Sequence, residues 1–149
     1  MGVLNANDNN IILQRRDEII EIEAYGCNTL RFRSSPNAKL IEENWNLMPQ
    51  EKTDYYTKLE DNKAIIKNGS ISAELFANGK VTYYKNGIEI LAERSEMVFY
   101  SGYREYSHVG ADNHKATVIF EAYEDEHFYG LGQEQNDLFD LKGSTSQLL

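Results

Sequence analysis

Cysteine, proline and tryptophan are all scarce in this chain of 149 residues, which has one, two and one of them. Cys27 alone cannot form an internal disulfide, and thiolate-based metal sites need several ligands clustered at short spacing. A buried or half-buried free thiol in a reducing compartment is expected. Long hydrophobic runs are missing too: no segment approaches the ~20 apolar residues of a membrane span. Residues Met1 to Asn10 show no basic stretch followed by an apolar one, so no secretory signal is visible. A cytoplasmic location follows as the expectation. Basic residues are outnumbered, 15 against 24 acidic, and the net charge of −9 repels phosphate backbones and anionic headgroups. Nucleic acid and membrane are therefore not the expected partners.

Also absent is any helix-period apolar face sustained for three turns. What stands in its place is alternation. Ser70-Ile71-Ser72-Ala73-Glu74-Leu75-Phe76 puts Ile71, Ala73 and Leu75 on one face and Ser72 and Glu74 on the other, the period of a half-buried strand. Three Asn-Gly pairs, Asn68-Gly69, Asn78-Gly79 and Asn86-Gly87, stand between such runs and favour the positive φ angles of type I′ hairpin turns. Residues 64–93 thus read as an antiparallel meander. Ile19 to Ala24 and Leu30 to Arg33 read as a further hairpin around Tyr25-Gly26-Cys27-Asn28. Ala116 to Ala122, β-branched and aromatic, reads as a central strand. The stretch from Ser34 to Asn62, with Pro36 and Pro49, reads as a long connection carrying at most a helical turn. Hydrophobic residues make up 41% of the chain, enough at this length for one core. The expectation is one all-β domain, 1–149, folded as an antiparallel β-sandwich. The end on Leu148-Leu149, without a charged or breaking tail, suggests a longer natural chain.

Chemistry-bearing motifs are thin. Gly130-Leu131-Gly132 opens like a dinucleotide fingerprint, but Gln135 stands where the third glycine belongs and no helical pattern follows, so no nucleotide cofactor is expected. Glu121, Glu124, Asp125 and Glu126 resemble a glycosidase carboxylate pair in composition only, because sequence neighbours on a strand face opposite ways; a solvated turn is the simpler reading. His108, His114 and His127 are scattered with no helical pairing, and no metal site is expected. Asn68-Gly69-Ser70 matches a glycosylation sequon, but the hairpin reading explains it better. The ten tyrosines could stack on sugar rings, although core and cross-strand packing accounts for most of them.

Phe120 to Gln133, which contains Glu126-His127-Phe128-Tyr129-Gly130-Leu131-Gly132-Gln133, closely resembles the Glu-x-Phe-Tyr-Gly-Leu-Gly-Gln/Glu segment near the end of the N-terminal domain in family 31 glycoside hydrolases. The resemblance continues in Leu138-Phe139-Asp140-Leu141-Lys142-Gly143. It extends upstream, in the same order, to Gly26 to Arg33, Glu42 to Leu47 and the Asn-Gly hairpins closing with Ile90-Leu91-Ala92-Glu93. Together these stretches span nearly the whole chain.

The resemblance implies a galactose-mutarotase-like sandwich packed on the protein's own catalytic (β/α)8 barrel. That barrel would supply an aspartate nucleophile and an aspartate acid for retaining hydrolysis of α-linked xylosides or glucosides. No catalytic residue carries over: the family's nucleophile lies in a Trp-x-Asp-Met strand end, and Trp45 here is followed by Asn46-Leu47. The chain by itself is thus expected to be inactive. By the same analogy Gln133, Gln135 and Asp140, in the loop after the glycines, are the candidate substrate-binding residues, able to hydrogen-bond sugar hydroxyls. The Glu42 to Leu47 segment leans toward an α-xylosidase parent. An oligosaccharide substrate and the barrel are the implied partners, and self-association into a homo-oligomer stays open. The rival readings are a stand-alone carbohydrate-binding sandwich and a structural sandwich without ligand. The enzyme-part reading expects an exposed apolar or aromatic face where the barrel docks.

Overall fold

Apolar residues at every second position suit a pleated strand, with one face turned to a core and the other to water. The computed structural model describes residues 2–37, 39–43, 47–51, 53–95, 102–110, 113–130 and 138–145. Among them no helix occurs, and the regular elements are eleven strands. These are β1 (Val3–Ala6), β2 (Asn10–Gln14), β3 (Ile19–Ala24), β4 (Leu30–Ser35), β5 (Tyr55–Leu59), β6 (Lys63–Asn68), β7 (Ile71–Phe76), β8 (Val81–Lys85), β9 (Ile88–Ala92), β10 (Arg104–His108) and β11 (His114–Val118). The first four form one sheet in chain order, β5 to β9 form a second in chain order, and β10 and β11 pair as a ribbon. Every pairing is antiparallel, as loops this short require.

The two larger sheets face each other across one apolar layer. Ile11, Leu13, Ile20 and Ile22 come from the first sheet, and Ala64, Ile66, Ala73, Leu75 and Val81 from the second; all are fully buried. β2, β3, β6 and β7 each place two core residues two apart, so the alternation read from the sequence is the pattern that builds the layer. At about 1.5–3 kcal/mol for each large aliphatic side chain removed from water, this layer is the main favourable term in the fold. On the outer face of the first sheet Glu21 lies opposite Arg33, and Glu23 opposite Arg31, forming cross-strand ion pairs.

The meander over 64–93 and the hairpin at 19–33 fold as the sequence indicates, with β4 running two residues further, but the Asn-Gly pairs differ from one another. Only Asn86-Gly87 has both residues at positive φ, 52° and 81°, the type I′ geometry. At the β6–β7 turn it is Gly69 that takes positive φ, 62°, and a Cβ there would stand 2.3 Å from Asn28 Oδ1. Asn68 instead turns inward and is 1% exposed. Its Nδ2 donates to the carbonyls of Gly26 (2.6 Å) and Thr29 (2.8 Å), and its Oδ1 accepts from Thr53 Oγ1 (3.1 Å). That side chain ties the β6–β7 turn of one sheet to the β3–β4 turn of the other, and it leaves no room for a glycan.

Three expectations change, and one hairpin forms where no strand was read. The stretch from Ser34 to Asn62 holds β5, whose Tyr55-Tyr56-Thr57-Lys58-Leu59 pairs with β6, and no helical turn occurs among its described residues. Tyr56 and Leu59 stay exposed on this edge strand, so burial left no apolar alternation to read. The Asn-rich N-terminus forms the β1–β2 hairpin, which supplies Ile11 and Leu13 to the core. Ala116 to Ala122 is not a central strand: β11 ends at Val118, pairs with β10 and is exposed along its whole length. Cys27 is exposed in the turn between β3 and β4, because the backbone there doubles back outside the sheets through Gly26 and Asn28 at positive φ.

One polar cluster joins the ribbon to both sheets. Arg104 at the start of β10 is buried, and its Nε donates to Glu18 Oε1 at 2.5 Å, its Nη1 to Glu93 Oε1, and its Nη2 to the Gly79 carbonyl at 2.6 Å. Phe32 lies under the guanidinium with its ring centroid 5.5 Å from Cζ. Glu93 also accepts from the Val81 amide at 2.8 Å, while Tyr106 Oη lies 3.1 Å from Glu18 Oε1 and 2.6 Å from Ser34 Oγ. Burial raises the Glu93 carboxyl above the ordinary carboxylate range, although Arg104 and the Val81 amide pull the other way.

Removing one member of such a cluster leaves charge buried without compensation. Arg104→Ala is therefore expected to cost about 3–5 kcal/mol in urea unfolding; a loss under 1 kcal/mol would show that the carboxylates find water. Asn68→Ala is expected to cost about 1–3 kcal/mol, because a buried amide gives up its bonds to the Gly26 and Thr29 carbonyls and to Thr53 Oγ1. A cost near zero in the same assay would mean that the inter-sheet tie is replaceable.

Candidate functional site

The chain leaves the second sheet through a short extension. Glu93 bridges Phe120, the Arg94 amide donates to the Ile119 carbonyl at 2.9 Å, and the Glu121 amide donates to the Ala92 carbonyl at 2.8 Å. The chain then turns at Tyr123 to Glu126, closed by the Glu126 amide on the Tyr123 carbonyl at 3.2 Å. Tyr123 Oη donates to Glu89 Oε1 at 2.7 Å and holds this turn against β9; that bond pushes the phenol up to about 12. Residues 127–129 and 139–142 then run side by side, joined by the Leu141 amide on the Phe128 carbonyl at 2.8 Å. Leu141 is buried, and Lys142 Nζ reaches the carbonyls of Tyr123 and Glu124.

Asp140 is the polar centre of this C-terminal strap. Its Oδ2 lies 2.6 Å from His127 Nδ1, and its Oδ1 accepts from the amides of Phe128 (3.0 Å) and Lys142 (3.1 Å). The His127 bond, followed by the two amides, holds its carboxyl down at about 2. A carboxylate has about four acceptor positions, so these three bonds leave capacity for one more donor.

The same backbone arrangement turns aromatic side chains outward. His127 and Tyr129 stack with centroids 6.1 Å apart and planes at 21°, and Tyr129 meets Phe139 at 5.0 Å and 46°. Tyr129 is 57% exposed and Phe139 86% exposed. Phe120, Phe128 and Leu138 on the strap are exposed as well, as are Ile88 and Ile90 on β9. Single exposed apolar residues are ordinary; a strap that groups its aromatics together in water is a larger exposed apolar surface.

Of the three residues singled out from the sequence, Asp140 lies at the heart of the strap, while Gln133 and Gln135 lie outside the described residues, as does Trp45. Glu121, Glu124, Asp125 and Glu126 line the turn, with Glu124 and Asp125 exposed, as the solvated-turn reading expects. Most described tyrosines serve structure: Tyr106 meets Glu18 and Ser34, Tyr84 meets Glu74, and Tyr103 accepts from Asn78. The histidines are less scattered than their spacing suggested. His127 pairs with Asp140, and the β10–β11 register brings His108 and His114 face to face. The Asp140–His127 pairing was missed, because nothing in the sequence said that the two motif segments run side by side.

The fold and this strap define an all-β domain of the galactose-mutarotase-like sandwich class. The family model of the glycosyl hydrolase 31 N-terminal galactose mutarotase-like domain matches residues 19–148, and the chain belongs to that family. Among curated proteins it is 27% identical over 150 residues to an uncharacterized family 31 glucosidase of Pseudescherichia vulneris, a match that covers 88% of this chain and 28% of the relative. Among solved structures it is similar to a family 31 α-xylosidase from a soil metagenome, crystallised with xylose. That likeness has a TM-score of 0.81 at 25% identity over 95% of this chain and 24% of the other. A family 31 α-xylosidase from Xanthomonas citri shares the fold, with a TM-score of 0.72 at 17% identity, over 96% of this chain and 15% of the other. The chain thus spans under a third of each of these relatives.

The Asp140 bonds have a definite pH signature. A carboxyl held at about 2 in the folded state stabilises the strap above its ordinary unfolded value, and that contribution is lost as pH falls through about 2. Carboxyl NMR is expected to show Asp140 titrating near there, with amide protection at Phe128 and Lys142 falling together. Titration at the ordinary aspartate value would contradict the pairing. Asp140→Asn is expected to loosen residues 127–129 while leaving the sheets intact.

Proposed function

We propose that this chain is the non-catalytic N-terminal domain of a longer retaining α-glycosidase acting on α-linked xylosides or glucosides, with an α-xylosidase favoured. Residues 1–149 form the sandwich, and a catalytic barrel outside them supplies both aspartates. On this reading the protein is cytoplasmic. The observation that carries the proposal is the exposed aromatic strap of Tyr129 and Phe139, which lies on two segments that resemble the family's motifs and within the residues that its model matches. In the proposal the strap is covered by the barrel, and the loop between its two halves, with Gln133 and Gln135, lies toward the substrate pocket. Asp140 contributes there through its remaining acceptor position and by holding the loop's base in place.

A second reading, a stand-alone sugar-binding module, is favoured by the same exposed rings, since Tyr129 and Phe139 offer faces on which a sugar could stack. Calorimetry separates the two. The 149-residue chain is expected to show no heat with xylose- or glucose-containing oligosaccharides, and clear saturable binding would favour the module. In the full-length protein, hydrolysis of α-xylosides or α-glucosides with retained configuration is expected. Tyr129→Ser with Phe139→Ser is expected to lower the temperature at which the two domains unfold together while leaving the sandwich folded in isolation. If the double variant leaves the full-length protein unchanged, the strap is not the barrel contact.

A further inference from the structure

The tip of the β10–β11 ribbon brings two metal-ligating side chains together. His108 and His114 are direct partners in the antiparallel register, and their rings meet edge to face with centroids 5.1 Å apart and planes at 78°. Both are exposed, and apart from each other neither ring has a partner among the described residues. We propose that this pair chelates one borderline divalent cation, zinc, nickel or copper, with water completing the coordination.

The chemistry selects that class of ion. Neutral imidazole nitrogens suit zinc, nickel and copper, whereas magnesium and calcium demand oxygen ligands. Directly opposed residues on an antiparallel ladder have Cβ atoms about 4.5–5.5 Å apart. Two rings on such positions can lean over a shared ion at about 2.0–2.1 Å from each nitrogen by rotating out of edge contact. The surroundings do not oppose a cation. Lys115 is paired with Ser107, so strand alternation places it on the other face of the ribbon, and the chain as a whole carries a net charge of −9. No group of three or more ligating side chains occurs among the described residues, so those residues supply two ligands to a weak, reversible site.

Its effect would be local. A two-stranded ribbon is marginal by itself, and this one is anchored at its base by Arg104 and Tyr106 while β11 is exposed throughout. An ion bridging His108 and His114 clamps the unanchored end.

The test titrates the 149-residue chain, free of any affinity tag, with nickel and zinc chloride, followed by calorimetry and by histidine ring NMR. One ion per chain is expected, with the His108 and His114 rings responding together, His127 silent, and amide protection rising along β10 and β11. Magnesium chloride is expected to do nothing. His108→Ala and His114→Ala, both at exposed positions, are each expected to weaken binding roughly tenfold or more, because a lone imidazole loses the second, intramolecular ligand. Single variants that bind as tightly as the unsubstituted chain, an equal response from His127, or no binding at millimolar metal would each overturn the proposal.

Discussion

Neither of the two larger sheets has more than one apolar face, and the burial of those faces against each other is what the rest of the molecule depends on. Ile11, Leu13, Ile20 and Ile22 on one side and Ile66, Leu75 and Val81 on the other lose all contact with water only when the sheets stack. The outward faces are then committed to polar work, as in the Glu21–Arg33 and Glu23–Arg31 pairs across β3 and β4. Asn68 fixes how the sheets meet at one end by bonding from the second sheet to backbone carbonyls of the first. A hydrophobic layer alone tolerates sliding; a buried amide with both donors used does not.

Beyond the sandwich the balance of polar and apolar reverses. The strap is held together by polar groups, with Asp140 gathering His127 and two amides, and it turns Tyr129 and Phe139 to the outside. That arrangement is costly for a surface left in water. It suits the proposed role, in which a neighbouring domain covers it. The ribbon shows a related division: its base is clasped by a buried guanidinium between two carboxylates, and its tip carries two histidines in water.

Some of this was legible in the residues. The meander from β6 to β9 and the β3–β4 hairpin could be read because alternating burial and turn chemistry are both local, and the motif segments around Tyr129 and Asp140 carried the family resemblance. β5 and the β1–β2 hairpin were not legible. Tyr55 to Leu59 lies on an edge with Tyr56 and Leu59 exposed, and the Asn-rich N-terminus offers only short apolar stretches among its asparagines. Ala116 to Ala122 misled for the opposite reason: β-branched residues report strand preference, but they do not say whether a strand lies inside a sheet or at its margin.

By itself, then, the sequence determined that the chain makes antiparallel strands with one apolar face each, because a period of two acts between near neighbours. Only the tertiary structure decided which distant groups meet. Glu18, Glu93 and Arg104 each stand at or near the end of a strand with nothing local to join them, and Cys27, Asp140, His108 and His114 took their surroundings from turns and registers. The reason is that burial of a charge or pairing of two rings depends on how whole sheets stack and where hairpins close, and those distances belong to no single segment.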